Sequence, residues 1–203
     1  AQIWTRLREN DKTYVNIMYE RAKKIAEAAS MMANVDYEME LISGIYEIIP
    51  NRFGAGIIQK NFETLGEIKY TEDEINYANT ILKETGKELK GLDGKIKPIR
   101  PTLPAQGGST DVGDVSQVVP VVRLSVTTAA KDGPWHSWAV VACTGMSIGH
   151  KGMIYASKAL AMTMLDLYKN PKLIDGVKKE FIARKGDRVY VPQIPPGPPK
   201  LID

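Results

Sequence analysis

The sequence predicts an α/β fold, because segments with the alternating pattern of β-strands are interspersed with segments of helical periodicity. Hydrophobic residues make up 43% of the 203 residues and charged residues 25%, which is typical of a folded chain and excludes disorder over the whole length. The formal net charge of +3 is too small to indicate nucleic acid as a partner. No apolar run approaches the roughly 18 residues that a membrane span requires.

The first fifty residues predict a strand, a helix and a second strand. Residues 2–8 alternate as a strand does. Asn10 or Asp11 is a suitable N-cap for the helical pattern that follows, and Asn34 is suited to end it. Residues 35–49 alternate again, which predicts a one-sided strand that Pro50 stops.

The pattern beyond residue 50 predicts helices separated by two buried strands. A helix over 54–65 ends at Gly66, and a capping box formed by Thr71 and Glu74 begins the next helix, which Gly86 closes. Residues 87–108 are rich in lysine, glycine and proline and predict a long loop. Strands are expected over 118–126 and 138–143, helices over 149–168 and 171–183, and a proline-rich extended tail over 192–199.

Cysteine and histidine are scarce, which limits the chemistry available to this chain. The one cysteine, Cys143, excludes an internal disulfide and a Cys-x-x-Cys metal site, and it fits a reducing, cytoplasmic location. The two histidines, His136 and His150, are too few for a three-histidine zinc site. The sequence also lacks the Walker, Gly-x-Ser-x-Gly, His-Glu-x-x-His and dinucleotide-binding motifs.

Two segments carry residue types that bind ligands or metals. Residues 108–116 combine two glycines, two acids and three hydroxyl groups, which suits a ligand-binding turn; the alternative is an ordinary polar loop with helix-capping residues. In the second segment His136 lies between Trp135 and Trp138, and His150 opens a predicted helix. Imidazole is a common metal ligand, and a helix N-terminus favours anions; the alternatives are a structural histidine and a surface turn.

The same segments resemble a known family. The run Gly-Ser-Thr-Asp-Val-Gly-Asp-Val-Ser at 108–116, Trp-His-Ser-Trp at 135–138 and His-Lys-Gly-Met at 150–153 are similar to the motifs of p-aminobenzoyl-glutamate hydrolase-like amidohydrolases. These belong to the aminoacylase/carboxypeptidase-like family of two-metal peptidases. The resemblance extends over nearly the whole chain, and the nine-residue run is its most specific part.

The resemblance implies a division of the chain into two parts. In this family an α/β catalytic domain holds two metal ions, zinc or manganese, and a ferredoxin-like lid domain is inserted into it. Residues 1–50 would be the second half of that lid, which also mediates dimers, and residues 51–203 the C-terminal part of the catalytic domain. No segment matches the family's catalytic glutamate or its earlier metal ligands, and the first methionine is Met18. We therefore expect the chain to be a fragment.

The resemblance also assigns roles to individual residues, none of them catalytic. His136 would ligate one metal ion, and His150 is its competitor for that role. The expected substrate-binding residues are Asn51, Arg52, Ser109, Thr110, Asp111, Asp114 and His150.

The implied function is part of a metal-dependent hydrolase that cleaves the amide bond of an N-acyl or aminobenzoyl amino acid, and we expect the chain alone to be inactive. Its expected partners are the missing N-terminal half of the catalytic domain and a homodimeric or heterodimeric partner held through the lid. One alternative is a non-catalytic binding or assembly subunit that pairs through its half-lid. Another is a small anion-binding protein that uses His150 and Lys151.

Overall fold

The computed structural model describes residues 1–100 and 108–198, and in these ranges the regular secondary structure is entirely helical. The seven helices are α1 (Lys12–Ala33), α2 (Arg52–Leu65), α3 (Glu72–Glu84), α4 (Val112–Val118), α5 (Trp138–Thr144), α6 (Ser147–Lys169) and α7 (Pro171–Lys185). The prediction of an α/β catalytic half-domain with a ferredoxin-like half-lid is therefore wrong for the described residues, which contain no strand or sheet.

The strands predicted over 2–8, 35–49 and 118–126 fail because a strand needs a hydrogen-bonded neighbour, which an alternating pattern does not supply. Part of the second segment instead finds its partners among side chains. Tyr46 and Ile49 donate their backbone N–H groups to the side chains of Asp114 and Ser116, at 3.3 and 2.9 Å. The extended backbone is thus satisfied without a sheet.

The fourth predicted strand, over residues 138–143, is also wrong, because these residues form most of α5. A short apolar run is compatible with either element when periodicity alone is considered. Here Ala139 and Cys143, four residues apart, are 3% and 0% exposed and face the same core, which is the spacing of a helix.

The predicted helices with clear end signals are confirmed. Asp11 caps α1 by accepting the N–H of Thr13, and Asn34 ends it in the left-handed conformation. The reciprocal capping box between Thr71 and Glu74 is present at the start of α3. The helices predicted over 54–65, 149–168 and 171–183 correspond to α2, α6 and α7, and each begins and ends within two residues of the predicted bounds.

The described residues group into two compact units, the first formed by 1–50 with the described parts of 102–121 and 181–203, the second by 122–180 with the described part of 51–101. The second unit contains a hydrophobic core in which Leu82 of α3, Cys143 of α5 and Ile148 of α6 are almost completely buried. Helix α2 packs along α6, where Asn61 donates hydrogen bonds to Thr163 and Asp166. The assignment of 1–50 to a lid and 51–203 to a catalytic domain stays a prediction.

No helix among the described residues is long and apolar enough to cross a membrane.

Candidate functional site

The acidic motif at 108–116 forms helix α4 and the turn before it, within the first unit. A Cβ atom at Gly113 would overlap the backbone carbonyl oxygen of Tyr46, so only glycine allows α4 to approach the 46–49 segment this closely. The sequence did not predict this helix, because a seven-residue helix that contains glycine carries little local signal.

Side chains of α4 bind the backbone of residues 46–49. Asp114 and Ser116 accept the backbone N–H groups of Tyr46 and Ile49, as described above. The side-chain amide of Gln117 donates a third hydrogen bond, to the carbonyl of Glu47 at 2.8 Å. Ser116 and Gln117 are both 0% exposed. Because buried polar groups are costly unless paired, these contacts fix the position of α4 on the segment.

The C-terminal tail completes this arrangement. The hydroxyl of Tyr190 donates to the carboxylate of Asp114 at 3.1 Å, and its ring meets the Tyr46 ring edge-on, with centroids 5.3 Å apart. Arg188 pairs with the carboxylate of Glu47 at 2.5 Å and donates to Gln117. The Asp114 carboxylate is therefore held by groups 68 and 76 residues away in the sequence.

Lys12 is the buried cation of this unit, although the helical pattern of the sequence places it on the polar side of α1. It is 9% exposed, and its ammonium group donates to the side chain of Gln193 at 3.0 Å. Burial lowers the pKa of Lys12, and the nearby carboxylates of Asp114 and Glu47 act against that shift. Its position as the first residue of α1 gave no signal that this lysine would be buried.

The remaining motif residues lie outside these contacts. Ser109 and Asp111 are exposed, and Thr110 is half-buried. Asp111 makes no capping hydrogen bond to α4, although it occupies the N-cap position. The motif therefore has an anchored part, residues 113–116, which Gln117 extends, and an accessible part, residues 109–111.

Asn51 and Arg52, two of the expected substrate-binding residues, lie at the start of α2 in the second unit. Asn51 is buried, and both ends of its amide are used: Oδ1 caps α2 by accepting the N–H of Gly54, and Nδ2 donates to the carbonyl of Val177, each at 2.8 Å. Arg52 is exposed and donates to the carbonyl of Arg100 at 2.7 Å. Their contact with substrate stays a prediction.

The two histidines also belong to the second unit, and both are exposed. His136 lies in the turn before α5 and has a φ of 58°, in the left-handed region that is uncommon for residues other than glycine. The neighbouring Trp135 and Trp138 are 72% and 55% exposed. His150 lies in the first turn of α6. Both rings are thus accessible to a ligand.

Glu74 forms an ionic cluster with Lys151, the residue after His150, whereas the sequence indicates Glu74 only as part of a capping box. Its carboxylate accepts hydrogen bonds from the Lys151 ammonium and the Ser147 hydroxyl, each at 2.6 Å, and from the Thr71 N–H at 2.7 Å. Burial opposes ionisation, but the three hydrogen bonds outweigh it and lower the pKa of Glu74 to about 2. Since Lys151 already pairs with Glu74, the charge that the anion-binding alternative requires is engaged within the chain.

The described residues do not by themselves fit a metal centre. They contain no group of three or more histidine, cysteine, aspartate or glutamate side chains placed to hold a metal ion. His136 is accessible but has no neighbouring ligand set in that part of the chain. We therefore assign no reaction step to a metal ion held by these residues.

Two known proteins are similar to the chain. It is 27% identical over 205 aligned residues to a subunit of the p-aminobenzoyl-glutamate hydrolase of Escherichia coli, which covers 89% of the chain and 43% of that protein. It is 27% identical over 171 residues to the Xaa-Arg dipeptidase of Mus musculus, which covers 82% of the chain and 32% of that protein. The chain thus spans less than half the length of either relative.

No protein-family model and no solved structure matches the chain. The two relatives are named as a hydrolase and a dipeptidase, and the first is one subunit of its enzyme. The resemblance predicted from the motifs is confirmed: over most of its length, the chain is similar to enzymes of the amidohydrolase and peptidase class.

Proposed function

We propose that this chain is one part of a metal-dependent amidohydrolase that cleaves the amide bond of an N-acyl or aminobenzoyl amino acid. The observation that supports this most strongly is the similarity of most of the chain to both a dipeptidase and a p-aminobenzoyl-glutamate hydrolase. The names of these two enzymes share an amide linkage to an amino acid as the point of cleavage. The proposal therefore specifies cleavage of an amide bond to an amino acid and does not specify the acyl group.

The accessible part of the motif is the proposed substrate-facing element of the first unit. Ser109, Thr110 and Asp111 offer hydroxyl and carboxylate groups that can orient the polar groups of a substrate. The anchored part keeps α4 in place through Asp114 and Ser116. A short helix fixed by buried hydrogen bonds positions nearby groups more precisely than a free loop does.

In the second unit we propose that His136 donates one ligand to a metal ion, zinc or manganese, whose other ligands lie outside the described residues. When held there by His136 and by ligands outside the described residues, such an ion would supply Lewis-acid chemistry for amide hydrolysis. Arg52 is the proposed partner of a substrate carboxylate, because guanidinium and carboxylate groups pair in a planar geometry. No residue of this chain is proposed as the catalytic acid or base.

Activity therefore requires further polypeptide, corresponding to the part of the relatives that this chain does not match. Release of p-aminobenzoate from p-aminobenzoyl-glutamate tests this directly. We expect the 203-residue chain alone to release none, and the chain assembled with the complementary polypeptide to release it in the presence of zinc or manganese. Hydrolysis by the metal-loaded chain alone would show that activity does not require further polypeptide.

A non-catalytic assembly subunit is the second candidate, and the surface of α1 favours it. Ile17, Ile25, Met31 and Met32 of this helix are 58–89% exposed, as expected for a helix that pairs with another protein. Association of two chains through α1, without any hydrolysis in the assembled protein, would support this candidate. Charged substitutions at Ile17 and Ile25 would then abolish the association.

A further inference from the structure

One side of α6 in the second unit is exposed along the whole helix and carries no charged side chain, and the exposed Lys158 borders it next to Leu165. We call this side the uncharged face of α6. It consists of the N-cap Met146 and of His150, Met153, Ile154, Ser157, Leu160, Ala161, Met164, Leu165 and Tyr168, all of which are exposed.

The spacing shows that these residues form one continuous face. Successive members are separated by one, three or four positions, and at 100° per residue they cover about 140° of the helix circumference. The opposite side is buried within the unit. Ile148, Ala159 and Thr163 are at most 5% exposed, and Gly152 is also buried. Helix α6 is thus apolar on both sides, although only one side has a partner among the described residues.

The exposed area is large enough for a stable interface. The seven large hydrophobic residues of the uncharged face are 44–79% exposed. At about 100 Å² for each half-exposed large side chain, they leave on the order of 700 Å² in contact with water. Isolated monomers rarely expose more than a few hundred Å² of contiguous apolar surface, and each partner of a standard interface buries roughly 800 Å².

The occupant of this face follows from its chemistry and from the length of the relatives. An apolar protein surface is the partner that fits a face without charges, because covering the face with apolar groups removes its hydrophobic side chains from water. The chain accounts for 43% and 32% of its two relatives, so each relative has further polypeptide beyond the matched region. We propose that the uncharged face of α6 binds the polypeptide that corresponds to this unmatched region; the inference rests on the proposed function.

The location of His150 gives this contact a role in the site. His150 lies at the N-terminal end of the uncharged face, one position before the lysine that pairs with Glu74. Docking along the face therefore brings groups of the bound polypeptide next to the His150 ring. The second unit would acquire its complete site only when this face is covered.

Photo-crosslinking in the cells that make the protein tests the contact. A photoreactive amino acid is placed at Leu160, within the face, and as a matched control at Thr64, which is exposed on α2. We expect Leu160 alone to crosslink, and mass spectrometry to identify a peptide that aligns with the unmatched region of the p-aminobenzoyl-glutamate hydrolase. A crosslink to a second copy of this chain, to another part of this chain or to lipid would overturn the proposal, as would no crosslink at Leu160.

A double substitution separates this inference from the proposed function. Leu160→Lys with Met164→Lys should leave the melting temperature of the isolated chain unchanged, because both side chains are exposed, but weaken binding of the identified polypeptide about tenfold or more. If the polypeptide binds at this face but the assembly hydrolyses no amide, the inference stands and the proposed function fails. If the assembly hydrolyses amides and the double variant binds and acts normally, the function stands and the inference fails.

Discussion

Replacement of Ser116 by alanine should loosen the contact between α4 and the 46–49 segment. The Ser116 hydroxyl accepts the backbone N–H of Ile49 at 2.9 Å, and the two residues are 0% and 6% exposed. The substitution leaves this N–H buried without a partner, which costs about 1–3 kcal/mol. The hydroxyl also donates to the carbonyl of Gly113 at 2.6 Å, but that carbonyl has a second donor in Gln117.

We therefore expect a loss of about 2 kcal/mol in the free energy of opening at this contact. Native-state hydrogen exchange measures it, because the exchange rate of the Ile49 amide should rise about 30-fold at 1.4 kcal/mol per factor of ten. Amides of α3 in the other unit, such as that of Leu82, should keep their rates. The matched control is Ser109→Ala, an exposed serine of the same motif, with an expected change within about 0.5 kcal/mol.

Two results would refute this reasoning. An unchanged exchange rate at Ile49 would mean that the hydrogen bond from its N–H to Ser116 is not formed in solution. An equal effect from Ser109→Ala would mean that the motif acts as a loose polar loop, with no anchored part.

Three further substitutions test other contacts. Gly113→Ala should lower the stability of the first unit by about 1–3 kcal/mol, because the added methyl group overlaps a backbone carbonyl; Gly108→Ala, where the added atom meets nothing, is the control for urea unfolding. Folding lowers the pKa of Glu74 from its ordinary value of 4.5 to about 2. The ionised Glu74 therefore contributes fully to the stability of the fold above pH 4.5, and this contribution is lost as the pH falls towards 2. Glu74→Gln should remove this part of the pH dependence of the urea midpoint, and an unaltered profile would contradict the assignment. Tyr190→Phe removes the hydroxyl that binds Asp114 and should speed proteolysis of the tail by severalfold, for a loss of about 1 kcal/mol; an unchanged cleavage rate would show that the tail is held by other contacts.

The helices were predictable because their signals are local. A capping residue and the first turn that it caps are neighbours in the sequence, as Asp11 and the Thr71–Glu74 pair show. A strand depends on a distant partner, so the alternation at 35–49 could not reveal that α4 side chains would take the place of a neighbouring strand. The misassigned α5 shows that a short apolar run does not distinguish a buried helix from a buried strand.

The candidate site was predictable as a motif but not as a set of contacts. Residue types alone singled out the 108–116 run as a candidate, although glycine, acids and hydroxyl groups also concentrate in ordinary turns. Its partners Tyr46 and Tyr190 are ordinary tyrosines in their own segments, and only folding brings them to Asp114. Lys12 likewise follows the polar pattern of α1, and its burial depends on the distant Gln193.

The most direct test of the proposed function is a comparison of His136→Ala with His150→Ala in the assembled protein, in which metal content and the release of p-aminobenzoate are measured together. We predict that His136→Ala loses bound metal and hydrolysis, whereas His150→Ala retains the metal. Full metal content and full activity in His136→Ala would contradict the assignment of this chain to a metal-dependent amidohydrolase through His136.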